Sequence, residues 1–376
     1  MAQGPRAEAA RSRRRRRRCN SGWKQSSRSS CRRMSPSPPQ RKGGRGCTRL
    51  LGSIAVVFFG VRMAYRCPPS PAPPNTSVRL DSEGWEQTLQ QNLAEHGYAH
   101  VQQLLNESDA QSLRRLAQDY CYGEKRRALP LSWGGYTVPA FLDLPEFAGA
   151  RWLLDDARLH KVLGVMFKGA EYRFASHNDI GCDFVGVWHK DILRGPQRKY
   201  QVHDLWTPDE AGEQHEIYKV LLYLQDHEQD ARAVKVVPGS HVLRDISLER
   251  GYAALHPRFG DAVIIDQRIS HAGNTFYYPF GPGRIFMQVG FGKANNFTDE
   301  FERGTVERQR GYQAKMLKLP PSTGFKSVLA DVKFFGLGML LSALPPQVLN
   351  AFADIDVKKY AVLGRLIFGS NAAGKK

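Results

Sequence analysis

"DFVGVWHKDILRG", residues 183–195, reads as an apolar strand that ends on His189, Lys190 and Asp191. Two side chains at i and i+2 of an extended segment point to the same face. An imidazole and a carboxylate therefore converge at the end of this run. They could be two legs of a metal site or a surface ion pair, and the triplet alone leaves both open.

Outward from this stretch the texture is that of strands. "YRFASH" (172–177), "EIYKVLLYLQD" (216–226), "AVKVVPGSH" (233–241), "DAVIIDQRISH" (261–271) and "RIFMQVGFG" (284–292) are separated by Gly, Pro, Asp and charged turns. The N-terminal side is helical instead. "SEGWEQTLQQNLAEHG" (82–97) stops at Gly97, "YAHVQQLL" (98–105) follows as a short apolar run, and "NESDAQSLRRLAQDY" (106–120) carries a capping-box pattern at Ser108 and Gln111. Helices followed by a run of strands predict an α+β fold around a sandwich or jelly-roll core, flanked by N-terminal and C-terminal helices.

A His-x-Asp triplet is a weak signal by itself in a chain with eleven histidines, and His177-Asn178-Asp179 offers a second one. The 189/191 pair has better companions. His271 ends another apolar strand 80 residues after Asp191, and Arg284 opens the next strand thirteen residues later. His189, Asp191 and His271 would supply two imidazoles and one carboxylate, a set that leaves open positions on Fe(II). An arginine fork matches a carboxylate with two charge-assisted hydrogen bonds, which Lys cannot imitate. The 177/179 pair reads as loop residues or as groups supporting the ligands, because "NDIGC" breaks its strand. His241 in "PGSH" reads as closing a turn by hydrogen bonding. Trp188, Tyr218, Tyr223 and Phe286 read as core packing, with any of them able to face a co-substrate.

"WHKD", "VVPGSH" (236–241), "GDAVIIDQRISHAGN" (260–274) and the trailing Arg284 occur in this order. On these residues the chain resembles the phytanoyl-CoA dioxygenase family of Fe(II)/2-oxoglutarate-dependent oxygenases, over roughly residues 85–300. The resemblance implies a double-stranded β-helix (jelly-roll, cupin-like) core, with iron on His189, Asp191 and His271. It also implies that Arg284 holds the far carboxylate of 2-oxoglutarate. The implied cofactors are Fe(II), 2-oxoglutarate and O₂, with ascorbate as an accessory candidate. The implied reaction oxidises a C–H bond of a small-molecule or lipid-like substrate, releasing succinate and CO₂. Halogenating relatives lack the carboxylate, so its presence as Asp191 implies hydroxylation or another oxidation. The expected state is a monomer. Two rivals stay open: a non-catalytic jelly-roll module whose basic arm binds nucleic acid or a membrane, and a cupin-like metalloenzyme that does not use 2-oxoglutarate.

The formal charge of +18 is unevenly spread. Residues 1–66 hold 18 Lys/Arg against the single acid Glu8, whereas the other 310 residues hold 36 basic and 35 acidic side chains. The basic excess thus belongs to a leader, and nucleic acid is not an expected partner of the domain. Residues 1–49 are too polar to offset their ordering entropy and are expected to be disordered. "LLGSIAVVFFGV" (50–61) is shorter than the roughly 20 residues a spanning helix wants, but snorkelling of Arg62 extends it toward residue 66. The leader has three readings: a single-pass anchor with a cytosolic N-terminus, an organelle transit sequence, or a nucleic-acid-binding arm. The anchor is the expectation carried forward. A Pro-rich linker (67–80), the oxygenase domain (81–320) and a helical extension (321–376) complete the chain. In the extension, "FFGLGMLLSAL" (334–344) is too short to span a membrane. Only Cys121 and Cys182 lie in the domain, so no disulfide framework is expected.

Overall fold

A computed structural model describes residues 69–122, 128–130, 135–184, 186, 188–227, 233–246, 248–273 and 284–318. The strands are β1 (Ser77–Arg79), β2 (Tyr98–Gln102), β3 (Leu129–Pro130), β4 (Tyr136–Pro139), β5 (Tyr172–Cys182), β6 (Ile217–Tyr223), β7 (Val234–Val236), β8 (Ala253–Leu255), β9 (Ala262–Asp266), β10 (His271–Ala272) and β11 (Ile285–Lys293). The helices are α1 (Trp85–His96), α2 (Glu107–Tyr122), α3 (Ala157–Met166) and α4 (Asn296–Leu317). Eight strands form one sheet in the order β1-β2-β9-β6-β11-β5-β4-β3, and β10-β7-β8 form a second. The result is a mixed fold with one large sheet, one small sheet and helices.

Strand alternation builds two cores from the same strands. In β9, Ala262 and Ile264 turn toward the helices, as do Val220 and Leu222 of β6 and Ile285, Met287 and Val289 of β11. They pack against Leu89 and Leu93 of α1, Leu113 of α2 and Leu159 and Val162 of α3. Val263 and Ile265 of β9, Leu221 and Tyr223 of β6 and Phe286 of β11 turn the other way and meet Val234, Val236, Ala253 and Leu255 of the small sheet. A period of two thus gives each central strand a helical side and a small-sheet side.

Several expectations need correcting. Residues 77–79, inside the predicted Pro-rich linker, form β1 because they pair in parallel with β2 and bury Val78. The capping box at Ser108 and Gln111 does not form. Asn106 accepts the Asp109 N–H at 2.8 Å and the Ser108 hydroxyl at 2.8 Å, and so starts α2 two residues earlier. "NDIGC" does not break its strand, since β5 runs on to Cys182 between β11 and β4. The described residues of "DFVGVWH" belong to none of these strands, and its end forms an isolated bridge, His189 opposite His271.

The single-pass membrane anchor and the membrane localisation expected from residues 50–66 also need correcting and are not carried forward. Among the described residues no helix is long and apolar enough to cross a membrane. The longest, α4, has 22 residues but is studded with charge. Residues 50–66, like the remaining leader, Asn274 and the extension from 321, lie outside the described residues.

Cys121 and Cys182 form a disulfide, contrary to expectation, with Cα atoms 5.7 Å apart. They are 61 residues apart in the chain, so only the docking of α2 against the end of β5 brings them within bonding range. Closing a loop of that length is worth about 4 kcal/mol on a chain-entropy account. Reduction by a dithiol is therefore expected to lower the urea midpoint of unfolding, and Cys121→Ala/Cys182→Ala should unfold at that lower midpoint with or without dithiol.

Candidate metal centre

His189 and His271 face each other across the bridge, each N–H donating to the other's carbonyl at 2.9 Å. These paired bonds hold the two imidazoles side by side, with ring centroids 4.2 Å apart. The Asp191 N–H donates to the Gln267 carbonyl at 2.8 Å, which anchors the third residue to the turn after β9. Lys190, between them, points away and donates to the carbonyls of Ser240 (2.7 Å) and Arg268. The alternation that brings His189 and Asp191 together thus also buries a lysine that ties down the neighbouring turns.

One nitrogen or oxygen from each of His189, Asp191 and His271 lies within 4.8 Å of the others, a group able to hold a metal ion. The His189 Nε2 is 3.4 Å from Asp191 Oδ1, and the His271 Nε2 is 3.1 Å from Oδ2. Burial pushes the His189 imidazole down to about 4, helped by His271, which leaves a neutral ring with a lone pair for a ligand bond. Burial works to raise the Asp191 carboxyl, but Lys219, His271 and the bonds from both imidazoles hold it well below the ordinary carboxylate range. A neutral imidazole and an ionised carboxylate are the forms in which these groups bind a metal. Two imidazoles and one carboxylate suit Fe(II) and leave positions on it for other ligands.

Lys219 enters this centre from β6, on the face it shares with Leu221 and Tyr223, and its Nζ lies 2.5 Å from Asp191 Oδ2. It is 4% exposed. The signal for it in the sequence is a single cation inside "EIYKVLLYLQD", where every neighbour belongs to a buried strand.

Arg284 lies just before β11 and is 2% exposed. Its guanidinium sits over the rings of Phe286 (4.9 Å) and Tyr223 (5.9 Å), both on the small-sheet side of their strands. Lys219 and Tyr223 are four residues apart on β6, about 13 Å along a strand. One face of β6 and β11 therefore carries the metal group at the Lys219 end and a guanidinium at the Tyr223 end. Tyr223 and Phe286 are the two of the four expected aromatic residues that flank this guanidinium. Tyr218 instead packs edge-on against Phe167, and Trp188 lies near Tyr252.

The rival pair is in a strand, not in a loop. The His177 Nε2 is 3.0 Å from Asp179 Oδ2, and Asp179 also accepts from Gln288 (3.1 Å) and Gln309 (2.9 Å). Arg308 of α4 approaches the same His177 nitrogen at 3.1 Å. This carboxylate is already committed to three side chains, and among the described residues no third metal-binding group joins it. His241 takes a structural part: its Nε2–H donates to the Ala94 carbonyl at 3.2 Å. Its ring fills the space beside Gly97, the left-handed cap of α1, where a Cβ would come within 2.5 Å of Nδ1.

No protein-family model matches the sequence, and no curated protein matches it. Among solved structures, the fold is similar to that of the non-heme alpha-ketoglutarate-dependent epimerase SnoN from nogalamycin biosynthesis, at 18% identity and a TM-score of 0.42, over 56% of this chain and 83% of that one. It is similar to HygX from Streptomyces hygroscopicus, crystallised with nickel and 2-oxoglutarate, at 16% identity and a TM-score of 0.40, over 54% and 85%. It is also similar to AviO1 from Streptomyces viridochromogenes Tue57, at 17% identity and a TM-score of 0.41, over 54% and 93%.

Proposed function

We propose that this protein is an Fe(II)/2-oxoglutarate-dependent oxygenase of the phytanoyl-CoA dioxygenase type, built on a double-stranded β-helix core within residues 81–320. Its substrate would be a small or lipid-like molecule with a C–H bond to be oxidised. The observation that carries the reading is the convergence of His189, Asp191 and His271 from two separate segments onto one point. When bound, iron, 2-oxoglutarate and O₂ supply the oxidation, with succinate and CO₂ as co-products.

The chain's own residues bind and orient. His189 and His271 would offer their Nε2 atoms, held by the reciprocal backbone bonds. Asp191 would offer a carboxylate oxygen, and Lys219 offsets part of its charge. Arg284 would clasp the distal carboxylate of 2-oxoglutarate, its side chain already buried with the guanidinium over the rings of Tyr223 and Phe286. Those two rings keep water from the clasp and so strengthen it.

The test uses the full chain purified anaerobically with Fe(II). Succinate release from 2-oxoglutarate is expected on admitting O₂, slow without substrate and faster with the right member of a metabolite panel. Bound iron without any succinate would favour a metalloenzyme that does not use 2-oxoglutarate. Failure to bind iron at all would favour a non-catalytic module.

A further inference from the structure

The main chain of Arg284 is held on both sides by one residue. The Asp183 N–H donates to the Arg284 carbonyl at 2.8 Å, and the Arg284 N–H donates to Asp183 Oδ1 at 2.8 Å. The other oxygen of this carboxylate, Oδ2, accepts the Tyr122 hydroxyl at 2.7 Å. Asp183 is buried, and its φ of +49° lies in the left-handed region that few residues other than Gly, Asn and Asp adopt. Gly135 packs against its carbonyl, and a side chain there would collide with the Asp183 backbone. A strained, buried carboxylate therefore does what a neighbouring peptide group would do along an ordinary strand.

The chain neighbours of Tyr122 and Asp183 are Cys121 and Cys182, the two halves of the disulfide. A covalent link and a charge-assisted hydrogen bond thus run side by side from the end of α2 to the end of β5. Both lead to the residue that clasps Arg284. The guanidinium is at the far end of a long side chain, so a small rotation of its backbone is magnified at the fork. Displacing a positioning group by about 1 Å can cost about a hundredfold.

We propose that Asp183 is a positioning residue for Arg284, and that Tyr122 and the Cys121–Cys182 disulfide hold Asp183 in place, so that affinity for 2-oxoglutarate depends on this brace. The inference rests on the reading above that Arg284 binds the co-substrate.

Tyr122→Phe is the mildest test, because this tyrosine is 38% exposed and loses only its hydroxyl. Asp183→Asn keeps a residue that tolerates the backbone conformation and removes one acceptor. Each variant is expected to raise the 2-oxoglutarate concentration for half-maximal succinate release about three- to tenfold, the span of one lost hydrogen bond, with iron stoichiometry unchanged. Cys121→Ala/Cys182→Ala should shift it in the same direction. A generic loss of stability would lower the unfolding midpoint without moving this concentration. In an Arg284→Ala background, Tyr122→Phe should add nothing, since the group it positions has gone. If Arg284→Lys raises the concentration while Tyr122→Phe and Asp183→Asn leave it unchanged, the brace is wrong and the Arg284 reading stands. If Arg284→Lys has no effect, the Arg284 reading itself fails and the brace fails with it.

Discussion

Asp191→Ala is expected to abolish both iron binding and 2-oxoglutarate turnover, as are His189→Ala and His271→Ala. Among the three, the Asp191 change carries a second expected effect. Its carboxylate is the ion-pair partner of Lys219 at 2.5 Å, deep in the protein. Removing one partner of a buried pair typically costs about 3–5 kcal/mol. The iron-free Asp191→Ala protein should therefore unfold at clearly lower urea than iron-free His271→Ala. Adding Lys219→Met should restore most of that stability without restoring iron. Bound iron measured per chain, succinate release and urea midpoints read these outcomes separately. His177→Ala and Asp179→Ala should keep iron, because that pair is tied to Gln288, Gln309 and Arg308 instead. Iron lost from the 177/179 variants and kept in the 189/191 variants would mean that the wrong His-x-Asp had been assigned.

Arg284→Lys is expected to bind iron normally and 2-oxoglutarate poorly. Replacing a buried bidentate partner commonly costs about 2–5 kcal/mol. At 1.4 kcal/mol per decade, this is roughly one to four decades in the half-saturating concentration. Lys should recover part of the loss relative to Arg284→Ala, since an ammonium keeps the charge but not the fork. The pocket should also be unforgiving to a cation without that fork, because the guanidinium sits over the rings of Tyr223 and Phe286. An unchanged concentration would hand the carboxylate to Lys219, the other buried cation on this face.

Much of the sheet was legible in the sequence for a local reason. "EIYKVLLYLQD", "DAVIIDQRISH" and "RIFMQVGFG" became β6, β9 and β11 because β-branched and aromatic residues fill both faces of a strand buried on both sides. The end of α1 was legible in Gly97, which takes the left-handed cap. The same local reasoning failed at β5, where Asn178, Asp179 and Gly181 suggested a break. Pairing on both sides, with β11 and β4, overrode that preference. It failed again at Ser108, since Asn106 two residues earlier is an equally good cap and the fold uses it.

The sequence by itself determined the residue types and their spacing: a His and an Asp two apart, a distant His ending a strand, an Arg opening the next. Those facts depend on order along the chain and on the two-residue repeat of a strand, both local. Which of the two His-x-Asp pairs meets a third ligand was decided only by tertiary structure, through the bridge that sets His189 opposite His271. The same is true of Lys219 on Asp191, of the disulfide across 61 residues, and of the Asp183 carboxylate on the Arg284 backbone. Each of these contacts joins groups remote in the chain, and its existence depends on how strands are registered and how α2 docks. No window of sequence contains that information, because the burial energy that sets register is shared over the whole core.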